Sequence, residues 1–149
     1  MATNQKTTPF DPSLDPGHYS FSHSLRVRFA ETDAMGIVHH GRYLPYLEEA
    51  RVEYLRSIGH PYSESRSGGR DFAVLECQLR YRMPLRFDDL VTIHLHPAAC
   101  TAATFTIDYL LTAHGSATTA ARTVHAYVDS AGRPHRIPAW IADLVKPTR

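Results

Sequence analysis

The densest group of reactive side chains in this 149-residue sequence is Glu31-Thr32-Asp33-Ala34-Met35-Gly36-Ile37-Val38-His39-His40-Gly41-Arg42-Tyr43. Asp33 lies in a stretch with a glycine and no hydrophobic period, which reads as a turn. A helical period starts just after it. Aspartate ahead of a helix is what a turn or a cap selects. It is also where a base or nucleophile would stand if a substrate carbonyl were held at the helix end. The first turn of a helix offers unpaired N–H groups and a partial positive charge, suited to an oxyanion. A histidine at the helix mouth could donate a further hydrogen bond. A carboxylate with an oxyanion donor is a workable set for acyl transfer.

The surrounding pattern supplies the elements that must position these groups. Leu25, Val27 and Phe29 alternate with Arg26 and Arg28, so a half-buried strand precedes the turn. Tyr43, Tyr46, Leu47, Ala50 and Tyr54 then fall at helical spacing, and Leu44, Leu55 and Ile58 widen the stripe. Proline is tolerated only in a first helical turn, so Pro45 places the helix start near His40 to Arg42. Gly59 and Pro61 end the helix. Arg66 to Arg70, with Gly68 and Gly69, reads as a flexible loop.

Beyond it the period is two. Strands are expected around Leu75–Tyr81, Val91–Leu95, Phe105–Leu111 and Val124–Val128, with a short helix after Pro138. One helix with apolar residues over much of its girth needs a twisted antiparallel sheet as its cover. The expected fold is therefore α+β: a curved sheet of about five strands around one long central helix. The last three strands, joined by short loops, should form a meander. Such a sheet leaves an edge and a face to bury, so a homo-oligomer is expected, at least a dimer.

Composition excludes several classes. The net charge of +1 gives no basic excess for nucleic acid and no polybasic face for a membrane. The longest apolar runs are too short for a membrane span. Cys77 and Cys100 have neither a redox nor a metal-finger spacing and are expected as small buried residues, in a reduced, cytoplasmic setting. Residues 1–22, polar and carrying Pro9, Pro12 and Pro16, are expected as a flexible extension ahead of a domain over 23–149.

The run from Arg28 to Leu44 resembles the signature of the hotdog-fold acyl-CoA thioesterases, and most nearly the 4-hydroxybenzoyl-CoA thioesterase-like branch that includes the Tol–Pal-associated thioesterase. The similarity continues through Glu48, Ala50-Arg51, Leu55 and Gly59. It resumes at Tyr81, Pro84 and Asp89, and ends with Gly132-Arg133-Pro134-His135-Arg136-Ile137-Pro138. The resemblance implies hydrolysis of an acyl-CoA or acyl carrier-protein thioester, with Asp33 as nucleophile or general base. It puts His40 beside the thioester, Gly41 at the helix end that polarises the carbonyl, and Tyr43 and Arg136 among the substrate contacts. It implies no metal and no bound cofactor, CoA being part of the substrate, and a dimer or tetramer. Arg42 stands where the family commonly has Asn, and His39 where it commonly has Tyr or Phe, which bears on substrate preference.

Other groups have plainer readings. Glu49 and Glu53 form a solvated helix face, and Glu48 is a reserve candidate for the carboxylate, since some relatives carry it on the helix. Arg51 reads as an ion-pair residue. Arg80, Arg82 and Arg86 form a basic strip that faces either CoA phosphates or solvent. His94 and His96 share a strand face but lack the further ligands a metal needs. The rival functions are a hotdog dehydratase or hydratase, a non-catalytic acyl-thioester-binding protein, and a small metal-binding β-protein.

Overall fold

The computed structural model describes residues 9–145. The strands are β1 (Phe21–Arg26), β2 (Arg70–Tyr81), β3 (Leu90–Cys100), β4 (Thr104–Ala113), β5 (Ser116–Asp129) and the two-residue β6 (Pro134–His135). The first strand lies earlier than the alternation of Leu25, Val27 and Phe29 suggests: it ends at Arg26, and Phe29 stands in a 3-10 turn (Phe29–Glu31), 76% exposed. All pair antiparallel in one sheet, in the order β1-β3-β4-β5-β2 with β6 beside β5. β3, β4 and β5 form the expected meander. The helices are α1 (Tyr43–Ser57), α2 (Tyr62–Ser67) and α3 (Ala139–Val145). One long helix held against a curved antiparallel sheet is the α+β hotdog architecture.

α1 starts where Pro45 permits, after a 3-10 turn at His40–Arg42. Gly59, at φ +83°, takes the left-handed position just past its end. Tyr43, Tyr46, Leu47, Ala50 and Tyr54 are all buried against Val91, Ile93 and Leu95 of β3 and Ile107, Tyr109 and Leu111 of β4. Leu44 stays 41% exposed, so one flank of the helix is left uncovered by its own sheet.

The structure departs from the sequence expectations in four further places. First, β5 begins at Ser116, not near Val124. Thr118 to Thr123 are all buried, so this part of the strand is covered on both faces and carries no two-residue period. Second, the loop expected at 66–70 is the end of α2 followed directly by β2.

Third, the extension expected at 1–22 is, over its described part, built onto the sheet. β1 opens at Phe21. Pro12 is buried, Arg122 donates to the Pro9 carbonyl at 2.9 Å, and Tyr19 packs on the rings of His94 and His96. Residues 1–8 lie outside the described residues. Fourth, Cys77, on the edge strand β2, is exposed, and Cys100, at the end of β3, is half-buried.

Candidate active site

The Asp33 turn is a small hairpin of its own. Thr32 bridges to Val38, the Asp33 N–H donates to the Ile37 carbonyl at 2.9 Å, and the His39 N–H donates to the Glu31 carbonyl at 2.9 Å. Gly36 closes the turn at φ +77°, a conformation that glycine adopts without penalty. The hairpin is anchored beneath by the Val38 N–H, which donates to the Leu85 carbonyl at 2.8 Å.

Asp33 itself is half-buried. Its Oδ1 accepts the Met35 N–H at 2.8 Å, so the plain turn role is realised. Its Oδ2 has no hydrogen-bond partner among the described residues. One oxygen thus fixes the carboxylate in the turn.

The hairpin leads straight into α1. His39 caps the connecting turn: the Gly41 N–H donates to His39 Nδ1 at 3.1 Å. The helix-end donor expected at Gly41 is therefore masked by an imidazole, which any incoming oxygen has to replace. The His39 and His40 rings lie 4.0 Å apart, both on exposed residues. The His40 carbonyl accepts the Tyr81 hydroxyl at 2.7 Å, which ties this turn to the end of β2. Along the hairpin, Asp33 stands two residues from the level of His39, roughly 7 Å of extended chain.

Tyr43 is 3% exposed and packs among Tyr46 and Tyr81. Burial pushes its hydroxyl pKa up. It supports the turn from below as part of the core. Arg136 is exposed and follows β6, which pairs with Tyr127 and Val128 at the far end of β5. Tyr81, beside the His40 turn, pairs with Thr119 at the near end. Eight strand residues separate the two levels, roughly 26 Å, so one chain does not bring Arg136 to Asp33.

The sequence pattern did not single out which arginine of the basic strip approaches the turn. Arg86 does: its guanidinium lies 4.0 Å from where a Cβ on Gly36 would stand. Arg80 faces the other way, over the Phe10 ring at 5.1 Å. Arg51 makes no ion pair with a described residue; it donates to the Tyr109 hydroxyl at 3.3 Å. Glu49 pairs with His23 at 2.7 Å and Glu53 with Arg56, as a solvated face should. Glu48 lines a separate cavity beside α1. His94 bonds Thr112, and among the described residues no three His, Cys, Asp or Glu side chains converge to hold a metal ion. No helix among the described residues is long and apolar enough to cross a membrane.

Comparison with known proteins places the chain in a family. Residues 27–145 match the model of the Thioesterase-like superfamily. The chain is 32% identical over 99 residues to the acyl-CoA thioesterase YbgC of Haemophilus influenzae, covering 66% of this chain and 71% of that protein. Its fold superposes on a crystal structure from Aquifex aeolicus with a TM-score of 0.80 at 40% identity, covering 85% of this chain and 99% of that one. It superposes on a Bartonella henselae structure, "Probable Thioesterase", with a TM-score of 0.76 at 29% identity, covering 79% of this chain and 98% of that one. Both the length of the match and the hotdog architecture around Asp33 lead to one conclusion: the chain belongs to the thioesterase-like superfamily of thioester-hydrolysing enzymes.

Proposed function

We propose that the chain hydrolyses an acyl-CoA or acyl carrier-protein thioester to a free acid and a thiol, with Asp33 as the catalytic carboxylate. The observation that carries this reading is the division of labour within Asp33. Oδ1 is fixed by the Met35 N–H, while Oδ2 has no hydrogen-bond partner among the described residues, on a hairpin that ends at the start of α1. The thioester carbonyl oxygen takes the place of His39 Nδ1 as acceptor of the Gly41 N–H, at the positive end of α1. Oδ2 then either removes a proton from the attacking water or attacks the carbonyl carbon itself. In both routes the C–S bond breaks and the thiolate leaves, taking up a proton, as CoA or carrier-protein thiol. Attack by water gives the free acid at once; direct attack leaves a mixed anhydride on Asp33, which water then opens to release the acid and restore the carboxylate. CoA is part of the substrate, and no further cofactor takes part.

Arg86, beside Gly36, is placed for the phosphates of the CoA arm. Assembly belongs to the same reading. β2 ends the sheet, and its Val74 and Leu75 are 46% and 55% exposed. Pairing this edge with a second copy buries them and covers the open flank of α1. Antiparallel pairing of two β2 edges brings the Arg70 end of one copy toward the Tyr81 end of the other, so a partner's far end approaches each Asp33 turn. A tetramer would add a second contact to such dimers.

The test is release of thiol from a panel of acyl-CoA and acyl carrier-protein thioesters by the purified protein, with Asp33→Asn as control. Turnover that depends on Asp33 supports the reading. Turnover unchanged in Asp33→Asn overturns the assigned mechanism, and hydration of an enoyl thioester without thiol release would favour the dehydratase class.

A further inference from the structure

A second concave site lies along α1, away from the Asp33 turn. It is a cavity of about 360 Å³ between α1, α2, β2, β4 and β5. Its walls are apolar and aromatic, including Tyr54, Leu55, Tyr62, Phe72, Phe105 and Ile107. Its polar members are Arg51, Arg66, Glu48 and His125, two cations against one carboxylate. The size and the few convergent polar groups are those of a small-molecule site.

A buried chain of hydrogen bonds runs beneath it. Arg51 donates to the Tyr109 hydroxyl at 3.3 Å, the Tyr109 and Thr123 hydroxyls are 2.7 Å apart, and Thr123 is 2.8 Å from His125 Nε2. A guanidinium has only donors, so Tyr109 accepts from Arg51. Tyr109, Thr123 and His125 Nε2 continue the chain through hydroxyl groups that can donate or accept. Burial, together with the nearby Arg51 charge, pushes the His125 pKa down to about 3, so the ring is neutral near pH 7. His125 Nδ1, on a residue only 1% exposed, has no hydrogen-bond partner among the described residues. An unpaired buried polar atom is costly and calls for an explanation. On Arg51, the Tyr109 bond engages one of five donor hydrogens.

We propose that this cavity receives the acyl part of the substrate and selects acyl groups whose far end carries a carboxylate, as in the half-thioester of a dicarboxylic acid. This rests on the thioesterase reading above and names its substrate class. The carboxylate is held by the Arg51 fork, with Arg66 and the unpaired His125 Nδ1 in the same lining, while the chain between lies on the aromatic walls. Arg51 lies eight residues along α1 from Tyr43, roughly 12 Å at helical rise, so the thioester and the distal carboxylate occupy separate sites. Glu48, one turn nearer the start of α1, disfavours a second carboxylate placed closer to the thioester.

The experiment compares adipoyl-CoA with hexanoyl-CoA, chains of equal length that differ at the far end. Binding to Asp33→Asn and kcat/KM of the wild type are both measured. The expected result is a preference for adipoyl-CoA of about tenfold or more, since a site built to hydrogen-bond a group discriminates strongly against its absence. Arg51→Met should remove the preference. Arg66→Met, at an exposed position, should reduce it even if Arg51→Met fails to fold. Equal binding and equal kcat/KM for the two thioesters, with turnover still dependent on Asp33, overturns this inference and leaves the thioesterase reading standing. An adipoyl-CoA preference in binding with no thiol release from either overturns the hydrolysis reading and leaves the site. A change of oligomeric state in Arg51→Met with an unchanged preference also overturns the inference, because the cavity would then serve the subunit contact.

Discussion

Tyr46 donates its hydroxyl to Glu31 Oε1 at 2.8 Å, so the first turn of α1 and the start of the Asp33 hairpin share one buried hydrogen bond. Glu31 also accepts the Arg28 N–H at 2.7 Å and the Arg28 guanidinium at 3.0 Å. Burial alone would raise its carboxyl pKa; the three donors outweigh that and hold it below the ordinary value. Tyr46→Phe should cost about 1–2 kcal/mol and Glu31→Ala about 2–4 kcal/mol, the latter also leaving buried donors unpaired. Both should lower kcat, because the hairpin loses its tie to α1. Urea denaturation and thioester turnover check the two effects. Wild-type stability and turnover in both variants would show that the hairpin holds its place without this bond.

Asp33→Asn keeps an oxygen that can accept the Met35 N–H and removes only the charge and the basic oxygen. Its stability should stay within about 0.5 kcal/mol of the wild type, while kcat falls by about 10²-fold or more. Asp33→Ala removes the turn bond as well and should lose both stability and activity. The contrast between the two variants separates the turn role of this residue from the chemical one.

At β2, the expected assembly is testable by one charge. Leu75 is 55% exposed on an edge strand, at the β-bulge between Val74 and Glu76. Leu75→Glu puts like charges on both copies of a paired edge. Sedimentation velocity should show the wild type as a dimer or larger and the variant shifted toward monomer. Turnover should fall with it, if the partner completes the site. A variant that assembles like the wild type would place the subunit contact elsewhere.

The final turn predicts an acid-dependent term. Asp129 accepts from His135 at 2.9 Å and from the backbone N–H groups of Arg133 and Ala131 at 3.0 and 2.9 Å. The His135 bond, followed by the Arg133 N–H, holds its carboxyl pKa down at about 2. A depressed carboxyl contributes stability above its unfolded pKa, near 3.9, and loses it as pH falls through the folded value. The Tm gap between wild type and Asp129→Asn should therefore be full above about pH 5 and close between pH 4 and 2. A gap that persists unchanged at pH 2 would assign it to packing of the turn.

Sequence pattern reached the elements whose burial is one-sided. The spacing of Tyr43, Tyr46, Leu47, Ala50 and Tyr54 located α1, Pro45 its start and Gly59 its end, because one face meets the sheet and the helix ends obey local chemistry. The same logic fails where burial is two-sided or absent. Ala117 to Thr123 carry no period because both faces of β5 are covered. β2 alternates in sequence, yet most of it is exposed, because no strand in this chain lies beyond it. At the site, residue type and spacing located the Asp33 turn. They could not show that His39 masks the Gly41 N–H, a bond set by two backbone torsions, nor that Arg86 folds over Gly36 from a loop some fifty residues later.

Asp108 and Arg122 give the sharpest test of why residues 9–20 belong to the fold. They sit opposite each other on β4 and β5, on the face away from α1, and are only 5% and 7% exposed. Arg122 Nε and Nη2 donate to Asp108 Oδ1 and Oδ2 at 2.6 and 3.0 Å, while Nη1 donates to the Pro9 carbonyl at 2.9 Å. Arg122 also lies 6.0 Å from the Phe10 ring. The bidentate pair is shielded from water by the N-terminal segment that it holds in place. Arg122→Met leaves a buried carboxylate without its partner and should cost about 3–5 kcal/mol. Asp108→Leu combined with Arg122→Met removes both charges and should be the more stable of the two variants, since paired removal relieves the desolvation that single removal exposes. In both, the contact to Pro9 is gone, so limited proteolysis should cut within residues 9–20 faster than in the wild type. If cleavage there is as slow as in the wild type, the segment is held by Pro12 and Tyr19, and Arg122 serves the sheet alone.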